Sequence, residues 1–241
     1  MNLIELISKQ SISSIQRHAV TALKQILNYK YAHPTNLNWD WKNKNFNRIA
    51  LVNYLISKNR GYEASYLEIG CAKNDLFDSV MVKKKIGVDP EAGGTHRMTS
   101  DNFFRDNNEF FDVIFIDGLH EYQQVRRDGL NSLQCIKPGG WIAFHDLLPS
   151  NWKEQHYPRI NSSWTGDCWK FALELCNASG LDFKIVEIDQ GVGILKKISD
   201  NFKVPDLSKD LVDANFDKFL QAKNEFQILS FDEAVKFIQN F

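Results

Sequence analysis

The sequence has no long hydrophobic run and no excess of charge of one sign. Nowhere does it approach the roughly 18 consecutive apolar residues that a transmembrane helix needs. Its 29 basic and 30 acidic residues give a formal net charge of −1, which argues against nucleic acid or a membrane surface as partner. Residues 1–20 lack the features of a secretory signal, and their pattern predicts an amphipathic helix. We therefore expect a soluble, cytoplasmic protein.

Cysteine is scarce, and no linker rich in proline or glycine divides the chain. The cysteines show no paired C-x-x-C spacing, which argues against a zinc site, and the chain is too long for a small disulfide scaffold. We expect free thiols at Cys71, Cys135, Cys168 and Cys176. With no internal repeat, we predict one structural domain with a helical N-terminal cap over 1–60, a core over 61–200 and a C-terminal helical extension over 201–241.

Short β-rich runs alternate with helical stretches from residue 65 onward. The runs are SYLEIG (65–70), KKIGVD (84–89), FDVIFID (111–117), WIAFHD (141–146), FKIVEI (183–188) and VGILKKI (192–198). This alternation predicts an α/β fold with a doubly wound, mostly parallel, Rossmann-like sheet. Residues 113–116 and 142–144 are apolar throughout, as in central strands. Asp189-Gln190-Gly191 predicts a tight turn between the last two runs, and so an antiparallel hairpin at the sheet edge.

Helical periodicity marks the segment between the two central runs and the end of the chain. One helix face is formed by residues three or four positions apart: Tyr122, Val125, Gly129, Leu133 and Ile136. Pro138-Gly139-Gly140 would end this helix. Residues 206–223 and 230–241 each predict one amphipathic helix, and Ser230 with Glu233 forms a capping box at the start of the second.

Ligands of a doubly wound sheet bind outside the carboxyl ends of the strands, so the residues that end each run are the candidate site. The first run leads into Glu68, Gly70 and Cys71, where Gly70 would let the backbone approach a ligand. A structural turn explains that glycine equally well. The second run ends at Asp89 and Pro90, roughly 20 residues later, where dinucleotide-binding folds carry a ribose-binding carboxylate. The alternative is an aspartate that serves only a turn.

Further polar candidates lie after the second run and at the end of the run over 111–117. Ser100 and Asp101 could contact an adenine, or could cap a helix. The run over 111–117 delivers Asp117, Gly118 and His120 to the end of a buried strand. A histidine there can act as a general base near neutral pH, because its unperturbed pKa is about 6.5. The alternative role for His120 is to cap the next helix.

The run over 141–146 ends at Asp146, which adjacent parallel strands would place beside Asp117. Two carboxylates near an imidazole can hold a divalent metal, or they repel each other and one pKa rises. The loop over 149–163 is long enough to be a lid, and its aromatic residues suit a sugar or other polyol. Trp169, just beyond it, fits equally well as a core residue.

The order and spacing of six motifs resemble a known family. The motifs are YLEIGCAKND, IGVDPE, MTSDNFF, FDVIFIDGLHEYQQVRRDGLNSL, IKPGGWIAFHDLLP and WTGDCWK. Over about residues 60–198 they resemble the class I S-adenosylmethionine-dependent methyltransferases, and most closely the macrocin-type and other sugar or small-molecule O-methyltransferases. The IDG-x-H and GG-x(4)-HD elements are the most specific parts of the resemblance.

This resemblance implies a set of site residues with S-adenosylmethionine as cofactor. The implied cofactor contacts are Glu68, Gly70 and Cys71 in the first loop, Asp89 and Pro90 at the ribose, and Ser100 and Asp101 near the adenine. Asp117 and His120 would face the sulfonium and the acceptor. In metal-using relatives the acids that end these two strands bind magnesium, which implies Mg²⁺ on Asp117 and Asp146.

The expected reaction is methyl transfer to a hydroxyl of a sugar or small molecule, with His120 or a bound metal acting on that hydroxyl. Three alternatives remain: a nucleoside-binding module without catalysis, a nicotinamide-dependent oxidoreductase, and a hydrolase with a metal held by Asp117, His120, His145 and Asp146. The oxidoreductase would normally carry the fuller glycine fingerprint that this chain lacks. We expect a small-molecule or saccharide substrate as partner, neither nucleic acid nor membrane, and the sequence leaves a homodimer open.

Overall fold

A computed structural model of the protein describes residues 14–241, in which the strands form one seven-stranded sheet. The strands are β1 (Ser65–Ile69), β2 (Lys84–Val88), β3 (Phe111–Ile116), β4 (Ile136–Phe144), β5 (Leu181–Val186), β6 (Val192–Lys197) and β7 (Ile228–Leu229). Their spatial order is β2-β1-β3-β4-β6-β5-β7. β2, β1, β3 and β4 run parallel, β6 is antiparallel to both β4 and β5, and β7 is parallel to β5.

Helices precede, connect and follow the strands. They are α1 (Ser14–Leu27), α2 (Arg48–Asn59), α3 (Asp75–Ser79), α4 (Ser100–Asp106), α5 (Tyr122–Cys135), α6 (Trp152–Gln155), α7 (Trp169–Cys176), α8 (Ser208–Leu211), α9 (Phe216–Ala222) and α10 (Phe231–Gln239). None of the helices in the described part of the chain is both long and apolar enough to cross a bilayer.

The sheet is covered on both faces. Every residue of β3 is buried, because its alternate side chains enter two different apolar clusters. In one cluster Ile114 shares the core with residues such as Leu133 of α5 and Phe171 of α7, and in the other Val113 does so with Leu55 of α2. A strand apolar on both faces is what a central position between two helical layers requires. The predicted doubly wound α/β fold is confirmed.

The predicted hairpin is present between β5 and β6, with the tight turn that the sequence suggested. Its predicted place at the sheet edge is wrong, because β7 lies outside β5. Asp189, Gln190 and Gly191 have φ angles of 44°, 61° and 88°, all in the left-handed region. β7 pairs beside β5 through only two residues, a length too short for the period-2 pattern to reveal.

Two predicted helices differ from the structure. The single helix predicted over 206–223 is wrong: it is two short helices, because Asn215 caps α9 by accepting a hydrogen bond from the Asp217 N–H. The helix predicted to continue to Pro138-Gly139-Gly140 ends at Cys135, and those three residues lie within β4. The capping box of α10 is confirmed, whereas most of the helix predicted over 1–20 lies outside the described residues.

The C-terminal extension is tied to the core through the carboxylate of Glu174, which is fully buried. Its Oε1 accepts hydrogen bonds from the Tyr122 hydroxyl (2.6 Å) and the Leu207 N–H (2.9 Å), and its Oε2 accepts one from Arg126 Nε (2.7 Å). A single buried charge therefore joins α7, α5 and the segment that leads into α8.

Replacing Glu174 by Ala should lower the free energy of unfolding by about 3 kcal/mol, because the Tyr122 hydroxyl and the Leu207 N–H lose their acceptor and the half-buried guanidinium of Arg126 loses its nearest partner. Urea denaturation measures this change. The matched control is Asp200→Ala, which removes a carboxylate that pairs with Lys197 at the surface and is 95% exposed. An effect for Glu174→Ala as small as that of the control would show that the buried carboxylate does not hold the extension.

Candidate active site

Two acids lie side by side where β3 and β4 end. The strands are parallel neighbours with Ile116 opposite Phe144, and the His145 N–H donates to the Ile116 carbonyl at 3.0 Å. Asp117 and Asp146 therefore leave the sheet at the same edge. Asp146 has a φ of 63°, a left-handed conformation that is uncommon for a non-glycine residue.

His120 connects the two acids. Its Nε2 lies 3.2 Å from Asp117 Oδ1, and its Nδ1 lies 3.0 Å from Asp146 Oδ2. The same Nδ1 lies 3.1 Å from the Trp164 carbonyl oxygen, and the two rings stack with centroids 5.1 Å apart at 20°. The structure thus brings the three residues proposed for catalysis and metal binding into one cluster, with His120 fixed at both nitrogens.

His145 is a fourth member of this cluster. Its Nδ1 lies 3.3 Å from Asp117 Oδ1 and 3.2 Å from Asp146 Oδ2, and its side chain is 6% exposed. The sequence had suggested His145 only as a ligand in the hydrolase alternative. The signal that could have placed it here is the His-Asp pair itself, since consecutive residues at a strand end both reach the same crevice when the second adopts a left-handed φ.

Arg48 and Asp189 complete the cluster, and sequence reasoning missed both. Arg48 Nη1 lies 2.8 Å from Asp189 Oδ2, and its Nε lies 4.0 Å from Asp117 Oδ2. Asp189 Oδ2 is also 3.7 Å from His145 Nε2. Arg48 opens α2, far from any strand end, so no local pattern marks it. The non-glycine residues in the hairpin turn were the available signal for Asp189.

The cluster shifts the ionisation of its members strongly. Burial opposes charge on His120, yet its contacts with Asp117 and Asp146 outweigh burial and raise the pKa of the imidazole to about 10. Burial also opposes charge on His145, yet the same two acids raise the pKa of its imidazole. Burial would raise the pKa of each acid, but the neighbouring imidazoles hold both below their ordinary value. At neutral pH the cluster therefore consists of carboxylates and imidazolium ions.

The cluster also fits a divalent cation. One donor atom from each of Asp117, His120 and Asp146 can be chosen so that all lie within 4.8 Å of one another. Asp146 Oδ1 is buried and has no hydrogen-bond partner among the described residues. A buried carboxylate oxygen without a partner is costly, and a cation would satisfy it. Two carboxylates and one imidazole are a donor set that several divalent metals accept.

The first loop packs directly against Asp117. Gly70 has a φ of 86°, and a Cβ placed on it would lie 2.0 Å from the Asp117 carbonyl oxygen. Glycine is therefore required here for contact between two backbone segments, a reason different from the ligand approach that the sequence suggested. Glu68 and Cys71 are both buried, and Glu68 accepts a hydrogen bond from the Tyr66 hydroxyl at 2.5 Å.

Asp89 directly follows β2, and its carboxylate is fully occupied by backbone donors. Oδ2 accepts from the N–H groups of Cys71 and Ala72, each at 3.0 Å, and Oδ1 accepts from those of Glu91 (2.7 Å) and Ala92 (2.8 Å). These four bonds hold its pKa below the ordinary value although burial opposes them. Asp89 thus fastens the first loop to the turn that begins at Pro90, and a ribose would have to compete with these donors.

Ser100 and Asp101 lie at the start of α4 and face α5. Thr99 caps the helix, which leaves Ser100 Oγ and Asp101 Oδ1 to accept hydrogen bonds from Gln124 Nε2 at 3.1 and 3.2 Å. Gln124 Nε2 also lies 3.0 Å from Asp128 Oδ1. These residues form a polar group of their own beside α5.

The segment over 149–163, which the sequence suggested as a lid, packs against the core through buried residues such as Trp152 and Ile160. Gly166, three residues beyond this segment, is in direct contact with the site, since a Cβ on it would lie 1.8 Å from the His120 carbonyl oxygen. Trp164 covers His120 through the ring stack described above. Trp169 is fully buried in the core, which was the alternative considered for it.

Residues 78–147 match the family model described as a methyltransferase domain. This segment of the chain is similar to a methyltransferase domain. The matched segment includes Asp89, Asp117, His120 and Asp146, so it spans the edge of the sheet where the cluster lies. The resemblance to class I S-adenosylmethionine-dependent methyltransferases is thereby confirmed. No curated protein matches the chain in sequence.

Several solved structures are similar to the chain. The O-methyltransferase TomG from Streptomyces achromogenes, solved with its cofactor, is 14% identical over 63% of this chain and 80% of that chain, with a TM-score of 0.47. The methyltransferase PaMTH1 of Podospora anserina, bound to S-adenosylhomocysteine, is 14% identical over 80% and 99%, with a TM-score of 0.46. The mycinamycin-pathway methyltransferase MycE, solved with Mg and S-adenosylhomocysteine, is 17% identical over 65% and 51%, with a TM-score of 0.42. Similarity at this level carries no argument about activity.

Replacing Asp89 by Ala should lower the free energy of unfolding by about 1–3 kcal/mol even without any ligand, because the buried Cys71 N–H and three part-buried N–H groups lose their acceptor. Urea denaturation of the ligand-free protein measures this. Glu91→Ala is the control, since it removes an exposed neighbouring carboxylate and leaves the backbone bonds intact. Unchanged stability of Asp89→Ala, together with weaker binding of S-adenosylhomocysteine, would instead identify Asp89 as a ribose ligand only.

Stability should depend on the ionisation of Glu68. Burial raises its pKa from 4.5 to about 7, so the folded protein favours the protonated acid. Between these two pKa values the unfolded chain releases the proton more readily, and stability falls as pH rises. Wild type should therefore lose stability relative to Glu68→Gln from about pH 4.5 to 7, in urea titrations at several pH values. Glu63→Gln, at an exposed pair with Lys83, is the control. Parallel pH profiles for wild type and Glu68→Gln would contradict this account.

Proposed function

We propose that the protein is an S-adenosylmethionine-dependent methyltransferase that transfers the methyl group to a hydroxyl oxygen of a small molecule or saccharide. The observation that carries this proposal is the cluster of Asp117, His120 and Asp146 at the edge of the sheet where ligands bind, within the methyltransferase domain. S-adenosylmethionine enters as the second substrate and supplies a methyl group that is already activated. The chain's own residues must then align the acceptor oxygen and deal with its proton.

Alignment is the larger contribution that rigid residues can make, since it can supply about 7–11 kcal/mol of the barrier. His120 is fixed at Nε2 by Asp117, at Nδ1 by Asp146 and the Trp164 carbonyl, and on its face by the Trp164 ring. Such a side chain cannot change rotamer without breaking several contacts. The aromatic wall over 149–166 supports a polyol acceptor, because sugar rings pack well on aromatic faces beside hydrogen-bonding groups.

The ionisation of His120 decides how the acceptor's proton can be removed. A histidine whose pKa is about 10 carries both ring protons at neutral pH and cannot accept a third. In this protonated form His120 cannot act as the base for the acceptor hydroxyl. These two acids and His120 would hold a divalent cation, and Mg²⁺ is the ion that the family resemblance implies. A bound cation lowers the pKa of a hydroxyl that it contacts.

Replacing His120 by Ala should lower turnover by about 100-fold or more, because both the ring that faces the acceptor and a donor to the two acids are lost. S-adenosylhomocysteine affinity, measured by calorimetry, should stay nearly unchanged. His33→Ala is the matched control, since His33 pairs with Asp217 and not with the cluster. Turnover in His120→Ala equal to that of the control would remove His120 from the reaction.

Chelation should suppress methyl transfer, and added Mg²⁺ or Mn²⁺ should restore it in wild type but not in Asp146→Asn, which loses one anionic ligand. A methyl-transfer assay with a panel of hydroxylated acceptors measures this. Asp200→Asn, at an exposed pair with Lys197, should retain the metal response. Full activity after chelation would show that the cluster works without a metal. Metal-dependent hydrolysis in the absence of any methyl donor would favour the hydrolase alternative.

A further inference from the structure

Arg48 is the only permanent cation that the described residues place within 4.0 Å of the acids in the cluster. The other positive groups there are the two imidazoles, whose charge depends on their protons. Arg48 comes from the N-terminal segment, which lies outside the matched methyltransferase domain. A residue of the N-terminal segment thus faces Asp117, the candidate catalytic acid, directly.

The two oxygens of Asp117 contact different groups on opposite sides of the carboxylate. Oδ2 faces Arg48 Nε at 4.0 Å, whereas Oδ1 lies 3.2 Å from His120 Nε2 and 3.3 Å from His145 Nδ1. A carboxylate that rotates about its χ2 exchanges its two oxygens or turns both away from their partners. A guanidinium on one side and two imidazoles on the other therefore select one orientation of the group.

Arg48 is itself fixed by Asp189. Asp189 Oδ2 accepts hydrogen bonds from Arg48 Nη1 at 2.8 Å and from the Arg48 backbone N–H at 3.1 Å. Asp189 lies in the left-handed region, a conformation that persists only where surrounding contacts enforce it. Those contacts include the Leu148 N–H to the Gln190 carbonyl (2.9 Å) and the Leu147 N–H to the Gly191 carbonyl (3.1 Å).

The chain that leads to Arg48 is anchored at two further points. Lys44 Nζ lies 2.6 Å from Glu187 Oε1, and the Phe46 ring stacks on Phe231 of α10 with centroids 3.9 Å apart at 13°. Asn47 then caps α2 by accepting from two backbone N–H groups. The residues just before Arg48 are held against the hairpin and the C-terminal helix, so the guanidinium is presented from a fixed backbone.

We propose that Arg48 is a positioning residue, which Asp189 holds in place so that it turns Asp117 Oδ1 toward His120 and His145. This inference rests on the proposed function. It makes the N-terminal segment part of the active site, and it explains why a strained aspartate occupies the hairpin turn. A guanidinium suits this task because its planar fork reaches two carboxylates at once, which the single ammonium of lysine does not.

The first test is chemical rescue of Arg48→Ala. Its turnover should fall by about 100-fold, as expected for a misplaced catalytic group, while KM for the methyl donor changes little. Added guanidinium chloride at concentrations far below denaturation should restore part of kcat, and Arg48→Lys should remain impaired. Arg105→Ala, which breaks an exposed pair with Asp106, should behave as wild type with and without guanidinium. No loss of kcat in Arg48→Ala, or a loss that guanidinium never relieves, overturns the proposal.

The second test does not depend on activity. In a crystal structure of Arg48→Ala, Asp117 Oδ1 should have left His120 Nε2, and soaked guanidinium should bring it back. If Asp117 does not move, the inference is overturned, whatever the activity of the wild type. If the wild type transfers no methyl group but Asp117 moves as expected, only the proposed function is refuted. Should Arg48→Ala fail to fold, Asp189→Asn releases the guanidinium more gently, and the same movement of Asp117 is expected.

Discussion

The arrangement of this site depends on one constraint: carboxylates that leave adjacent parallel strands at a buried edge must find positive partners. Asp117 and Asp146 meet because β3 and β4 are neighbours in register. A low-dielectric edge makes isolated charges there very costly. His120 and His145 each contact both acids and so stabilise their charge. The acids in turn raise the pKa of both imidazoles. The chemistry proposed for the cluster follows from this mutual stabilisation.

The same constraint explains why distant parts of the chain converge on the site. Two imidazolium ions cannot neutralise three carboxylates, and Asp189, which also faces His145, is the third. Arg48 supplies the remaining charge from α2, and Asp189 supplies its anchor from the hairpin. The acidic edge of the sheet, the N-terminal segment and the β5–β6 turn therefore form one electrostatic unit.

Features that arise from local pattern were predictable from the sequence. Strands apolar on both faces revealed the central sheet, and polar residues at their ends revealed Asp117, His120 and Asp146 as a group. Arg48 was not predictable, because an arginine at a helix start has the same local pattern whether it faces solvent or a buried acid. Gly70 was expected to let the backbone approach a ligand. In the structure, the backbone of Asp117 occupies the space that a Cβ on Gly70 would need. That contact depends on tertiary packing, which no single segment encodes.

Asp89 shows a similar limit. Its position after β2 follows from the sequence, but the four N–H groups that occupy it come from two separate turns. The pattern locates the carboxylate and does not reveal its partners.

The most direct test of the central claim is a crystal structure of the protein with S-adenosylhomocysteine and Mn²⁺, in which anomalous scattering locates the metal. The account predicts a manganese peak on Asp117, His120 and Asp146, with the sulfur of the nucleoside in the same crevice. Manganese or nucleoside bound elsewhere, with the Asp117 cluster left as it stands, would contradict it.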